Sequence, residues 1–286
     1  MKKEFVIGLL LFLLPGISLN AQKISMPLFV NMITGEWNNF QQCWLENTST
    51  DIHRVDAKEK HKHIHSVYRH MGGTSSWIVS HYEKGDTSIL LGKRWMNAVE
   101  DKVNQSIICR VYKFDGEGKV DSGKIHEEII WKFHDGKYFG TVRGESGTSF
   151  ILSNDALHIL NNGLFKHSFQ EAYRQIKCRF FSGWIQYPMD HIKKDSVFFY
   201  SGLKLHDQGG AIQLTFPDGS LGEYTVELTQ LVHSRKTYIM KLAVYAMDKK
   251  YLDWNSHSEA YSWAEVGAKR LGINIRKVVS GWTLIE

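Results

Sequence analysis

Proline and cysteine are scarce in this chain, with four and three copies among 286 residues. No Ser/Pro-rich or Gly/Ser-rich tract occurs, which argues against a flexible linker between separate domains. Cys43, Cys109 and Cys178 lie far apart and lack CxxC or CxxH spacing. An odd number of thiols allows at most one intramolecular disulfide, and buried thiols acting as small apolar groups are the simpler expectation. Charge of one sign is also missing. Lys and Arg number 35 against 30 Asp and Glu, and the net charge of +5 is spread along the chain. No basic stripe of the kind that holds nucleic acid is present. GxSxG, HExxH, the phosphate loop and the dinucleotide fingerprint are absent, which lowers the prospect of an enzyme without removing it.

Long hydrophobic runs are missing apart from one near the start. MKKEF followed by VIGLLLFLLPGISLNAQ gives two lysines, an apolar stretch and a small-residue exit. That is the layout of a secretory signal peptide, and the stretch is too short to span a bilayer comfortably. Cleavage is expected near Ala21 or Gln22, with no cysteine at the junction to carry a lipid. The expectation is an exported protein, periplasmic or secreted, with no integral membrane segment after cleavage. Residues 1–22 are read as leader and 23–286 as a single domain, with about 175–286 as an extension or second lobe. A homodimer is left open.

What the chain has in plenty is strand pattern. HKHIHSVYRHM, TSSWIVSHYEKGD, QSIICRVYKFDGEGK and HEEIIWKFHDGKYFGTVRGESGTSFILSND are rich in β-branched and aromatic residues and alternate with a period of two. FDGEGK and FHDGKYFG each put Asp-Gly between such runs, a strong hairpin signal. The second half continues with IKCRFFSGWIQYP, DSVFFYSGLKL, GAIQLTFPDGS, GEYTVELTQLVH and KTYIMKLAVYAMD. Gly183 and Gly281 are expected at bulges, with Trp184 and Trp282 entering the core. Leu28, Met32, Trp37, Phe40 and Trp44 are spaced for short helical turns broken at Gly35. HSEAYSWAEVGAKRLG, from about residue 257, predicts one C-terminal helix capped by Ser256 or Ser258 and ended by Gly272. Many strands with almost no crossover helices predict a mainly β fold, an antiparallel barrel or sandwich.

KEKHKHIHSVYRH places His61, His63 and His65 on one strand face and Ile64, Ser66, Tyr68 and His70 on the other. Alternate imidazoles can share a zinc or copper ion, so His63 and His65 are candidate metal ligands, with His81 on the next strand as a third. Lys60, Lys62 and Arg69 nearby oppose a cation, and a polar strand edge or contact with an anionic ligand are the competing readings. Arg110 and Tyr112 share a face, with Cys109 and Val111 opposite. A buried Arg110 would need a partner, either a network with Asn39 and Gln42 or a ligand carboxylate. Cys109 as a nucleophile lacks an adjacent histidine.

From residue 28 to about 152 the chain resembles the T-type chromophore lyases of phycobiliproteins, the CpcT/CpeT family. Gly35 and NNFQQC, which keeps Asn39 and Gln42, stand where the family has a glycine and an SNxxQA motif. HKHIHSVYRH, WIVSHYEKGD, IICRVYKF and KYFGTVRG, with Phe139 and Gly140, follow in the family's order. His81 and Tyr82 replace a Glu-Gln pair, Ile108 replaces an arginine, and VRGESGTSF lacks a cysteine that often follows. The resemblance implies a calycin-like antiparallel barrel with a short N-terminal helix, an interior Arg110, and an amphipathic small-molecule ligand. It makes a tetrapyrrole, bilin or haem, the candidate, held by Asn39, Gln42, His81, Arg110 and Tyr112. Lyase activity would be implied by that resemblance only. The alternatives are a structural or partner-binding envelope protein with a filled barrel, and a histidine-based metal-binding protein.

Overall fold

The computed structural model describes residues 24–48, 61–84, 87–160, 172–188, 195–215, 219–234, 237–246, 249–256, 260–265 and 271–278. Period-two alternation becomes ten strands that close on themselves. After helix α1 (Met26–Ile33) come β1 (Gly35–Asn38), helix α2 (Phe40–Thr48), β2 (Ile64–His70), β3 (Ser76–Glu83), β4 (Leu90–Asp101) and β5 (Ser106–Lys113). β6 (Glu127–His134), β7 (Lys137–Val142), β8 (Phe150–Leu152), β9 (Ala156–Ile159) and β10 (Tyr173–Lys177) complete the ring. Each strand pairs antiparallel with its neighbour in sequence, and β1 pairs with β10 as well as β2, so the barrel has no free edge. The β6–β7 turn follows its Asp-Gly signal: Asp135 and Gly136 both have positive φ, 49° and 75°, as a type I′ hairpin requires.

One end of the barrel is filled by α1. Ser25 caps the helix, and Pro27 sits in its first turn. Phe29 is fully buried against Trp77, Trp131 and Tyr138, with ring centroids 6.1, 5.4 and 5.1 Å away. Trp37 Nε1 donates to the Ile33 carbonyl, Trp77 Nε1 to Thr34 Oγ1, and Tyr138 to the Ser25 carbonyl. Lys177 Nζ donates to the carbonyls of Asn31 and Met32, satisfying the end of α1.

Beyond the barrel lie β11 (Phe180–Pro188), β12 (Val197–His206), β13 (Gln208–Thr215), β14 (Leu221–Ser234), β15 (Thr237–Ala246), β16 (Lys249–Ser256), β17 (Ala260–Glu265) and β18 (Leu271–Lys277). They form two four-stranded sheets, in the orders β12-β11-β18-β17 and β13-β14-β15-β16. Residues of both sheets make one apolar core separate from that of the barrel, including Ile185, Leu205, Val226, Leu242 and Ile273. The arrangement is a sandwich.

Three expectations need correction. Among the described residues no C-terminal helix forms: Ala260–Glu265 and Leu271–Lys277 are paired strands, and Gly272 lies opposite Ala264. Burial of Leu271, Ile273 and Ile275 in the sandwich outweighs the local helical spacing. Among the described residues both helices lie near the N-terminus, and Trp37 sits in a strand between them. The register does shift at Gly183, but Trp184 is only half-buried and packs on the exposed Phe199. Gly281 and Trp282 lie outside the described residues.

Candidate functional site

Strand register decides which side chains face the barrel interior. Ile107, Cys109 and Val111 of β5 belong to the barrel core, so Arg110 and Tyr112 face outward. This reverses the interior placement expected for that pair. Apolar Cys109 and Val111 gain more from burial than a guanidinium, which would have to be desolvated. Arg110 has a 41% exposed side chain and pairs with Glu128, which Arg143 also binds. Tyr112 packs against Trp95 on the outer wall.

On β2 and β3 the inward residues are Ile64, Ser66, Tyr68, Trp77, Val79 and His81, since Ser66 lies opposite His81 and Tyr68 opposite Val79. Ser66 Oγ is 2.9 Å from His81 Nδ1, and Gln175 Nε2 donates to Ser66 Oγ at 2.8 Å. An amide nitrogen can only donate, so the Ser66 oxygen accepts from Gln175, and the direction of its bond with His81 Nδ1 follows the imidazole tautomer. Burial, assisted by the positive charge of Arg94, lowers the His81 pKa to about 4.

Arg94 lies opposite Val79 and so takes the inward face of β4. Its Nε is buried without a hydrogen-bond partner, and so is Oε1 of Gln175, a residue with no exposure. Glu127, opposite Val111, completes the group. Its pKa is raised by burial and by Glu145, while Arg94 pulls it down. Burial and the nearby Glu127 also push the Tyr68 phenol up. The interior is thus graded. Phe29, Trp77, Trp131 and Tyr138 fill the α1 end, whereas Ser66, His81, Arg94, Glu127 and Gln175 gather toward the other. An unmatched guanidinium N–H and an unmatched amide oxygen suit a ligand that carries both an acceptor, preferably anionic, and a donor.

Asn39 and Gln42 hold α2 in place. Asn39 Nδ2 donates to the Lys62 carbonyl and its Oδ1 accepts from Ile64 N–H. Gln42 donates to the Ala172 carbonyl and accepts from Arg174 N–H. Both side chains are spent on backbone groups. His61 bonds Glu46 through Nδ1 at 2.6 Å.

His63 and His65 are brought together on the outer wall by Asn38, a residue sequence reasoning passed over. Asn38 Oδ1 accepts from Phe40 N–H and lies 2.8 Å from His63 Nε2, while its Nδ2 meets His65 Nδ1 at 3.1 Å. His65 Nε2 reaches Glu36 at 2.9 Å, so both ring nitrogens of His65 are engaged. His81 faces the interior and cannot join them. Among the described residues no group of three or more His, Cys, Asp or Glu side chains is assembled to hold a metal ion. All three cysteines are free and buried. Burial, with Glu46 adding to it, pushes the Cys43 thiol up to about 12, and burial raises Cys109 and Cys178 strongly. A thiol so raised is a poor nucleophile.

Of the sequence candidates only His81 lies in the interior polar group. Ser66, Arg94, Glu127 and Gln175 were not singled out. Arg94 could have been found, because it alternates with Met96 and Ala98 in a long run, LLGKRWMNAVED, whose strand character was missed. Comparison with protein-family models, with curated proteins and with solved structures finds no match for this chain.

Proposed function

We propose that the barrel binds an amphipathic small molecule through its interior end opposite α1. The observation that carries this reading is the pair of buried, unmatched polar atoms, Arg94 Nε and Gln175 Oε1, inside a barrel whose other end is aromatic. Arg94 would hold an anionic group of the ligand, Gln175 would accept a ligand N–H or O–H, and neutral His81 and Tyr68 would line the path. The motif order that resembles the chromophore lyases supports a tetrapyrrole as ligand, since such pigments join a flat apolar body to carboxylates. Chromophore transfer would need an acceptor protein and is not part of the proposal. The leader-like start of the chain supports a site of action outside the cytoplasm, and N-terminal sequencing of exported protein, expected to begin near Ala21 to Lys23, tests it.

Binding is tested by titrating the purified protein with biliverdin, haem and a fluorescent fatty acid. The expected result is a shifted absorbance or emission that weakens at least tenfold in Arg94→Gln and Gln175→Leu. A pigment spectrum identical to that of free pigment removes the tetrapyrrole, and no response from any of the three removes the binding reading.

The dense packing of Phe29 among Trp77, Trp131 and Tyr138 favours a second reading, a partner-binding protein whose barrel is solid. Under that reading Gln175→Leu changes stability by less than about 1 kcal/mol, because relief of the unmatched Oε1 is offset by loss of the Nε2 bond to Ser66. Under the first it also removes ligand.

A further inference from the structure

Where barrel and sandwich meet, the contact is built from histidines. His65, on the outer wall of β2, stacks on His206 at the end of β12, with ring centroids 5.1 Å apart and planes 24° from parallel. Phe40 of α2 packs edge-on to His63 and lies against Gly209, whose positive φ and missing Cβ admit the ring. Gln41 Nε2 donates to the Gln230 carbonyl, and Cys178 N–H to the Glu36 carbonyl. The charged and titratable groups facing this seam are Glu36 from β1, His63 and His65 from β2, and Tyr82 from β3. The segment after β10 adds Cys178 and Arg179, and the β12–β13 turn adds His206 and Asp207. Glu36, His65, His206 and Asp207 are all buried.

We infer that this seam is an acid-operated latch, closed while His63 and His206 are neutral and opened when protons are added to them. The hydrogen bonds already fix where protons sit. Because Phe40 N–H donates to Asn38 Oδ1, the Asn38 amide must point its Nδ2 at His65, whose Nδ1 is thereby an acceptor. His63 Nε2 donates to the same Oδ1, and His206 Nδ1 accepts from Gln208 N–H. A proton added to His65 Nδ1 or His206 Nδ1 would set donor against donor. The two acids are already committed, Glu36 to His65 and Asp207 to Arg179. Among the described residues, new positive charge on His63 or His206 therefore meets no free anion. Burial, then His65 and His63, lowers the His206 pKa to about 3, and burial, then His65, lowers that of His63 to about 4. The latch is thus set to act well below neutrality, where charge gained by His206 and His63 forces the seam apart.

The test is backbone hydrogen exchange of the full chain at pH 7 and pH 4, corrected for intrinsic rates and read by mass spectrometry. Peptides covering 35–46 and 205–230 are expected to lose protection at pH 4 by at least tenfold more than the β4–β5 hairpin, 95–112. His206→Phe, which keeps a stacking ring without a titrating nitrogen, is expected to hold the seam closed at pH 4. Where circular dichroism at pH 7 shows that variant unfolded, His206→Gln takes its place. The latch is overturned if the seam stays protected at pH 4, if the hairpin loses as much protection as the seam, or if the folded variant opens at the same pH as wild type.

Discussion

Lys177 closes the plugged end of the barrel with one side chain. Its Nζ donates to two carbonyls at the end of α1 and lies 5.2 Å from the Trp37 ring centroid. Lys177→Met keeps the aliphatic stem and removes the ammonium, so the expected loss is about 2 kcal/mol in urea-induced unfolding. An unchanged midpoint would show that water replaces the ammonium without cost. Arg94 and Arg110 show what residue-level reading can recover. Both alternate with apolar neighbours, and period two alone cannot say which face of a strand turns inward. The apolar character of Cys109 and Val111 held the answer for β5, and an interior Arg110 came from resemblance rather than from hydropathy. Asn38, beside the expected Asn39, was illegible because its partners are brought to it only by the pairing of β1 with β2.

Two elements set the behaviour of each lobe. Helix α1 acts through Phe29, and Phe29→Ala would leave a void among three aromatic rings. The expected cost is about 3–5 kcal/mol, read as a lowered denaturation midpoint with near-UV circular dichroism reporting the loosened tryptophans. In the sandwich, β11 comes so close to β18 at Gly183 that a Cβ there would collide with the Asn274 carbonyl. Gly183→Ala is expected to cost about 3 kcal/mol or more, because backbone rather than a side chain must move. A near-neutral value would mean that the β11–β18 register slips to admit it. Strands were legible wherever alternation and Asp-Gly turns coincided, as in β6 and β7. AYSWAEV misled because its apolar spacing also fits a helix, and only pairing with the apolar β18 decides the matter.

For the whole molecule the buried histidines give stability a pH dependence of known sign. His81 and His206 bind protons less readily folded than unfolded, so the unfolded chain takes up more protons below about pH 6.5. Stability is therefore complete above that pH and declines as pH falls toward the folded values near 4 and 3. At pH 5 each of the two removes about 2 kcal/mol, which is a large share of ordinary domain stability. Urea midpoints at pH 7 and pH 5 check this, and His81→Gln is expected to flatten part of the difference. A midpoint that stays level between the two pH values would contradict the neutral state assigned to both rings.

Closure of the barrel also imposes an order on the chain's completion. Trp37, in the first strand, pairs with Lys177, in the last, and the sandwich likewise joins Phe181 to Lys277. The barrel cannot seal its edges, nor the β12-β11-β18-β17 sheet assemble, until the final strand of that lobe has been made, and such distant pairing is slow. During that interval β1 and β9 each present an unpaired backbone edge to other nascent chains. A chain released before Tyr173 would keep those edges permanently, so light scattering should find it self-associated while the full chain stays dispersed.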